Sequence, residues 1–466
     1  MGPSRRFIEI VLLCFCIGIH PAGSRMLRGD ATATIRINTT VALEDDNVDS
    51  IATVILSELQ SIPSFNMLTT INIQLEQGGS RWEIHKGKGT TKDYFVGITK
   101  DKGARASFYR HQVPNLNLCR ITGMIHDNQN GLWYEMKPNV EGASLVSVIP
   151  DTEIAPFQDP VIPPSYSIPA LLHPHPQQQL SDQTAAWRPD QSSTFGDYTS
   201  PARQLFNAFI PFLSIDKGDT VVDIMVVWTH SAECIKSHLP ANCSVSSSSR
   251  QNMMLAINFF LKESNAVLQN SGLHLQLRLA HGQRVVYQET TFNQALTDLQ
   301  EKSIPSVQDR RLEYKADMVM LLMDQTFDYP ETGIAFNNYD HIDAGYMLSV
   351  VAIQYTSVWY LPLHEIGHNF GCSHDRGTAD MCDDLKKSSY GYRDPHGQFR
   401  TIMSYPCQAR QCDTFSGGHK SDYFDCPLIP YFSNDRVQYF GSSLGGSYND
   451  CAGQIERVQN KVANLF

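Results

Sequence analysis

Basic charge is what this chain of 466 residues has too little of: 37 Lys and Arg stand against 48 Asp and Glu, a formal net charge of −11. A general nucleic-acid binder needs a concentrated basic surface, so that class is set aside. After the first twenty residues no apolar run is long enough to read as a membrane helix. The C-terminal Val462-Ala463-Asn464-Leu465-Phe466 lacks the hydrophobic tail of a lipid-anchor signal. No internal repeat is present, which argues against solenoids and propellers. Cysteine is scarce in the first half: past Cys14 and Cys16, only Cys119 stands there. What remains, 42% hydrophobic and 18% charged, is the composition of a globular protein long enough for two or three domains.

Four regions follow from composition shifts. Residues 1–24 read as an export signal, with Arg5 and Arg6 ahead of the apolar run Phe7 to Ile19 and small residues at Ala22 and Ser24. Residues 25–150 hold short β-prone runs, among them Tyr94 to Thr99, Ala106 to Arg110, Ile121 to Ile125 and Leu132 to Met136. Gly, Asp and Asn separate them, which predicts a small, mainly antiparallel β domain. Residues 151–215 are a Pro-rich linker, extended and open to proteolysis, with Arg188 and Arg203 as single cleavage candidates and no dibasic site. Residues 216–466 alternate strands and helices. Val221 to Val227 and Met318 to Met323 are continuous apolar runs, the mark of strands buried on both faces. Residues 249–271 carry apolar side chains at helical spacing, Leu273 to Leu279 alternate, a short helix spans Asn293 to Glu301, and Met347 to Ile353 is a further strand. That order predicts an α/β domain with a twisted mixed, mostly parallel sheet. Cys234, Cys243, Cys372, Cys382, Cys407, Cys412, Cys426 and Cys451 form an even set in this half and read as disulfides of an oxidising, extracellular compartment. Sequons at Asn38 and Asn242 permit glycosylation.

The chemistry sits in residues 364–375, His-Glu-Ile-Gly-His-Asn-Phe-Gly-Cys-Ser-His-Asp. His364 and His368 are one helical turn apart on one face and can reach one metal ion. Gly371 can adopt a positive φ, ending the helix and turning the chain so that His374 supplies a third nitrogen. Three protein ligands leave a fourth position for water, the pattern of a catalytic zinc. Glu365, flanking the first ligand, is placed to act as general base and then general acid on a peptide bond. With Gly371, His374 and Asp375 at fixed offsets, chance occurrence is on the order of one in 10⁵ chains. Whether calcium is also bound is left open by the sequence.

This segment resembles a metzincin peptidase, and Arg400-Thr401-Ile402-Met403-Ser404-Tyr405-Pro406 resembles the methionine turn of that group, with Met403 at the turn position. Asp375 after the third histidine is similar to the reprolysin (adamalysin) branch. Looser likeness runs through Val222 to Thr229, Gly333-Ile334-Ala335 and Ile429 to Asn434. The resemblance implies an α+β metzincin domain with an active-site helix and a loop-rich, disulfide-bonded C-terminal subdomain. It also implies one zinc ion, protein or peptide substrates, and a monomeric, secreted enzyme made as a latent precursor behind a β-rich prodomain. Tyr405 stands where astacins and serralysins carry a tyrosine that binds zinc or stabilises the oxyanion; the alternative is a core tyrosine. Cys372 is expected in a disulfide that pins the turn after the helix. Cys119 is either an inhibitory zinc ligand from the prodomain or a small buried hydrophobe, since Asn117-Leu118-Cys119-Arg120-Ile121 lacks the usual Cys-Gly-Val pattern. The rival to an enzyme is a catalytically inactive metzincin-fold adhesion protein; the presence of His364, Glu365, His368 and His374 weighs against it.

Overall fold

The computed structural model describes strands and adjoining positions between residues 31 and 150. It then describes residues 219–406 and 426–466, apart from 326–331, 340, 359, 380–386 and 440. The export signal, the linker with Arg188 and Arg203, and Cys382, Cys407 and Cys412 lie outside the described residues.

The first region is a closed barrel of nine strands: β1 (Ala31–Asn38), β2 (Ala52–Ile55), β3 (Leu68–Leu75), β4 (Arg81–Lys86), β5 (Tyr94–Ile98), β6 (Ala104–Val113), β7 (Leu118–Asp127), β8 (Leu132–Pro138) and β9 (Ser144–Pro150). All pairs are antiparallel except β1 with β3, whose parallel pairing closes the barrel. Side chains alternate between two environments, as strand geometry requires. Phe95, Phe108, Ile121 and Ile125 fill the barrel, while Tyr94, Val96, Tyr109, Met124 and Trp133 join the core of the C-terminal region.

That region is a five-stranded sheet in the order β11-β10-β12-β14-β13, formed by β10 (Thr220–Trp228), β11 (Leu275–Arg284), β12 (Met318–Met323), β13 (Gly333–Ala335) and β14 (Leu348–Ala352). The first three pairings in that order are parallel, and β13 runs antiparallel on the edge. The expected mixed, mostly parallel sheet is therefore present. Its continuous apolar strands serve two cores. Val222, Ile224, Val226 and Trp228 of β10 face one side, and Met225 and Val227 the other. Met318, Met320 and Leu322 of β12 alternate with Val319, Leu321 and Met323 in the same way.

Six α-helices cover this sheet among the described residues: α1 (His230–Lys236), α2 (Ser247–Asn270), α3 (Phe292–Gln300), α4 (Val307–Tyr314), α5 (Leu361–Asn369) and α6 (Cys451–Val462). Helices α2, α5 and α6 pack on one face; α3 and α4 pack on the other. Helix α2 begins in a capping box, the Ser246 hydroxyl accepting from Ser249 N at 3.2 Å and the Ser249 hydroxyl from Ser246 N at 2.9 Å. It ends at Gly272, whose φ is +76°.

The barrel docks on α2 and on the start of α5. Arg105 reaches Glu263 at 3.1 Å and also meets the Tyr360 hydroxyl, while the Tyr94 hydroxyl donates to Glu263. Lys236 donates to Glu135 and Thr356 at 3.1 Å and to Ser357 at 3.2 Å. These charges are buried and paired, which is the condition for tolerating them away from water. Burial by the barrel pushes the Lys262 ammonium down to about 8.

Candidate metal centre and active site

Helix α5 starts abruptly. Tyr360 takes a left-handed φ of 54°, and Pro362 sits in the first turn, where its missing N–H costs nothing. It ends as the sequence predicts: Gly371 has a φ of +93°, and a Cβ there would lie 2.6 Å from Tyr339 Cα. Gly371 N bonds His368 O at 2.8 Å and Cys372 N bonds Gly367 O at 2.9 Å, so the last carbonyls are satisfied as the chain reverses toward His374.

The turn brings three imidazoles together. His374 Nε2 lies 3.3 Å from His364 Nε2 and 3.1 Å from His368 Nε2, and all three rings are buried. The opposite nitrogens fix the tautomers. His364 Nδ1 donates to Ile402 O and His368 Nδ1 to Cys372 O, each at 2.8 Å. With the proton held on Nδ1, the Nε2 atoms of His364 and His368 offer lone pairs to the same point, where His374 Nε2 also lies. Lone pairs crowded this closely repel unless a cation lies among them, so the donor set fits a divalent metal held by neutral imidazole. A second cluster, His230 with Cys234 and Cys243, is not a comparable site, because its two sulfurs are joined in a disulfide.

Glu365 is fully buried and faces β13. A Cβ at Gly333 would stand 2.3 Å from its Oε1, so only glycine leaves room for the carboxylate. Asn369 Nδ2 donates to Phe336 O and Leu348 O, both at 3.0 Å, fastening the helix to the sheet edge. Asn337 Nδ2 donates to Cys372 O at 2.7 Å, supporting the carbonyl that orients His368.

The methionine turn lies beneath. Met403 is fully buried, and a Cβ on Gly367 would come within 2.6 Å of its sulfur, so helix and turn are in direct contact. Tyr405 places its ring 4.6 Å from that of His374, centroid to centroid. The turn is locked by Asp375. Its Oδ2 accepts from Tyr405 N at 3.1 Å and pairs with Arg393 Nη2 at 2.7 Å, while Arg393 Nε donates to Tyr405 O at 3.0 Å. Burial lowers the pKa of the Arg393 guanidinium, and Asp375 partly opposes the shift.

The structure thus brings His364, Glu365, His368, His374, Met403 and Tyr405 into one site. The backbone of Cys119 lies in β7 opposite Gln112, and its side chain is outside the described residues. The disulfide expected at Cys372 is not formed in this structure, where its thiol is unbonded, beyond the end of α5 and buried against α6. Cys234–Cys243 and the bonded Cys426 agree with the expected disulfides. Sequence reasoning missed Arg393 and Asn337, and it marked Gly333 only as part of a looser likeness, not as the wall beside Glu365. A single arginine in a polar stretch reads as surface, and no spacing rule marks it otherwise.

Residues 219–416 match the family model described as Metallo-peptidase family M12. No curated protein matches the chain. Among solved structures, the chain is similar to a chaperone-substrate complex at 19% identity and a TM-score of 0.39, covering 53% of this chain and 36% of that one. It thus spans about a third of that relative's length. It is also similar to metalloproteinase-II from Bacteroides fragilis at 13% identity and a TM-score of 0.33, covering 67% of this chain and 83% of that one. Both likenesses are distant, and the assignment rests on the matched segment. The converging imidazoles and the turn under them fall inside the span from 219 to 416, and the match to the family M12 model over that span supports a metzincin-like metallopeptidase.

Proposed function

We propose that the protein is a secreted zinc-dependent endopeptidase made as a latent precursor. The observation that carries the reading is the convergence of three buried Nε2 atoms, with Nδ1 partners that fix the tautomers of His364 and His368. His364, His368 and His374 would hold the ion. When bound, zinc supplies Lewis acidity, bringing a coordinated water to a pKa of about 7 and polarising a peptide carbonyl. Glu365 takes the proton from the attacking water and returns it to the leaving amine. Its carboxylate is buried and packs closely against Gly333, which restricts its movement. Tyr405, whose ring is tilted over that of His374 with centroids 4.6 Å apart, would donate its hydroxyl to the oxyanion. The substrate lies extended along the sheet edge at β13.

Secretion is supported by the signal-like residues 1–24 and by the Cys234–Cys243 disulfide. Latency is supported by the barrel, which grips Tyr360 at the first turn of α5 and carries Cys119 on β7. The test uses the chain after limited proteolysis in the linker. Casein should be cleaved, a chelator should abolish cleavage, and zinc should restore it. Glu365→Gln should keep one zinc per chain and lose at least about 10²-fold in turnover. Wild-type turnover in that variant removes the base assignment. Zinc-loaded wild type that cleaves nothing favours the adhesion reading.

A further inference from the structure

We propose that Cys372 and Cys451 form a disulfide that ties the zinc-ligand turn to the C-terminal helix. Both side chains are completely buried, and both thiols are free in the structure. They belong to distant parts of the chain: Cys372 lies between His368 and His374, and Cys451 opens α6. Cys372 Sγ is 3.6 Å from Cys451 O, the carbonyl of the residue that carries the second thiol.

The backbones around them are held in place by hydrogen bonds on both sides. Gln454 of α6 donates to Phe370 O at 3.0 Å and to Tyr339 O at 3.2 Å, and Cys451 N donates to the Ser433 hydroxyl at 3.1 Å. On the other side, Cys372 O accepts from both Asn337 Nδ2 and His368 Nδ1. A covalent link at Cys372 therefore restrains the same residue whose carbonyl aims a metal ligand. Two buried cysteines in contact can also be plain apolar packing. The pairing is favoured because the same region already holds Cys234–Cys243 and a bonded Cys426.

The chemistry is thiol–disulfide exchange with a small-molecule disulfide, RS–SR, acting before the core closes over both sulfurs. One cysteine thiolate attacks RS–SR, forming a mixed disulfide and releasing RS⁻, which takes up a proton. The second thiolate attacks the protein sulfur of that mixed disulfide and expels the second RS⁻. Two protein thiols are oxidised, RS–SR is reduced to two RSH, and the protons go to the released thiolates.

The experiment folds the full chain with glutathione disulfide as the oxidant and maps peptides without reduction. The expected product is one cross-linked species joining the Cys372 and Cys451 peptides, lighter than their sum by two hydrogens and split by reductant. Recovery of both as free thiols, or each bonded to another cysteine, overturns the proposal. Mapping needs neither zinc nor turnover, so it fails or succeeds independently of the peptidase reading. As a second measurement, the Cys372→Ala/Cys451→Ala variant should melt roughly 5–15 °C below oxidised wild type, and the gap should shrink once both are reduced. Equal melting of the oxidised proteins counts against the bond. On the peptidase reading, zinc release to a chromophoric chelator should also be about 10-fold faster in the variant.

Discussion

Replacing Arg393 by methionine isolates the clamp between the third histidine and the methionine turn. The Arg393 and Asp375 side chains are only 5% and 6% exposed and sit 2.7 Å apart. Methionine preserves most of the apolar stem and removes the charge. Breaking a buried pair from one side costs about 3–5 kcal/mol, because the remaining ion keeps its desolvation cost without its partner. Asp375 would still accept from Thr378 N at 3.0 Å, the Thr378 hydroxyl at 2.9 Å and Tyr405 N at 3.1 Å, which places the loss near the low end. The expected destabilisation is thus about 3 kcal/mol in urea unfolding at pH 7. Asp375→Asn in the same background should recover most of it, since the stranded charge is gone. Zinc affinity, read by competition with a chromophoric chelator, should fall about 10- to 100-fold in Arg393→Met, because Asp375 adjoins His374. A loss under 1 kcal/mol with unchanged zinc affinity, or no recovery in the double variant, would refute the clamp.

Gly333→Ala should lower kcat about 10²-fold with full zinc content, since the new Cβ must displace the Glu365 carboxylate from 2.3 Å away; an unchanged kcat contradicts that packing. Burial pushes the Asp317 carboxyl up to about 6, although Asp223 N donates to it at 2.8 Å. Because the folded-state value is the higher one, its contribution to stability is complete below the unfolded value near 3.9 and is lost as pH rises through about 6. Asp317→Asn should therefore be more stable than wild type by about 1–2 kcal/mol at pH 7, after allowance for screening, and the advantage should vanish near pH 4 in paired denaturation curves. Cys119→Ser should make the uncleaved precursor active on casein if the thiol is an inhibitory ligand; an equally latent variant removes that role.

Much of the C-terminal sheet was legible because its strands and helices carry their periodicity in their own residues. The runs at Val221 to Val227 and Met318 to Met323 appear as β10 and β12, and the expected helix at 249–271 appears as Ser247–Asn270. Helices α1, α4 and α6 were missed. Val307–Tyr314 is mostly charged, and Cys451–Val462 carries its apolar stripe among polar residues in a stretch expected to be loops. Barrel closure was also hidden. It depends on Thr32 to Ile37 pairing in parallel with Thr70 to Leu75, a contact between strands whose local pattern names no partner. The burial of Lys262 and Glu263 follows from the same docking, and a helix read alone would turn both toward water.

The site shows a sharper division between what sequence reveals and what it conceals. The spacing of His364, His368 and His374 announces the ligands, because ligation is done by side chains. The aim of those ligands is set largely by backbone: Ile402 O holds His364, and Cys372 O holds His368. A carbonyl has no letter in the sequence, so these partners could be found only after the chain was folded. Their positions in turn depend on Asn337 at Cys372 and on Arg393 at Tyr405, three residues past Ile402. Substituting these outer residues should therefore alter zinc affinity while leaving the motif itself intact. A family motif alone is thus a weaker guide to activity than the motif with its supporting carbonyls in register.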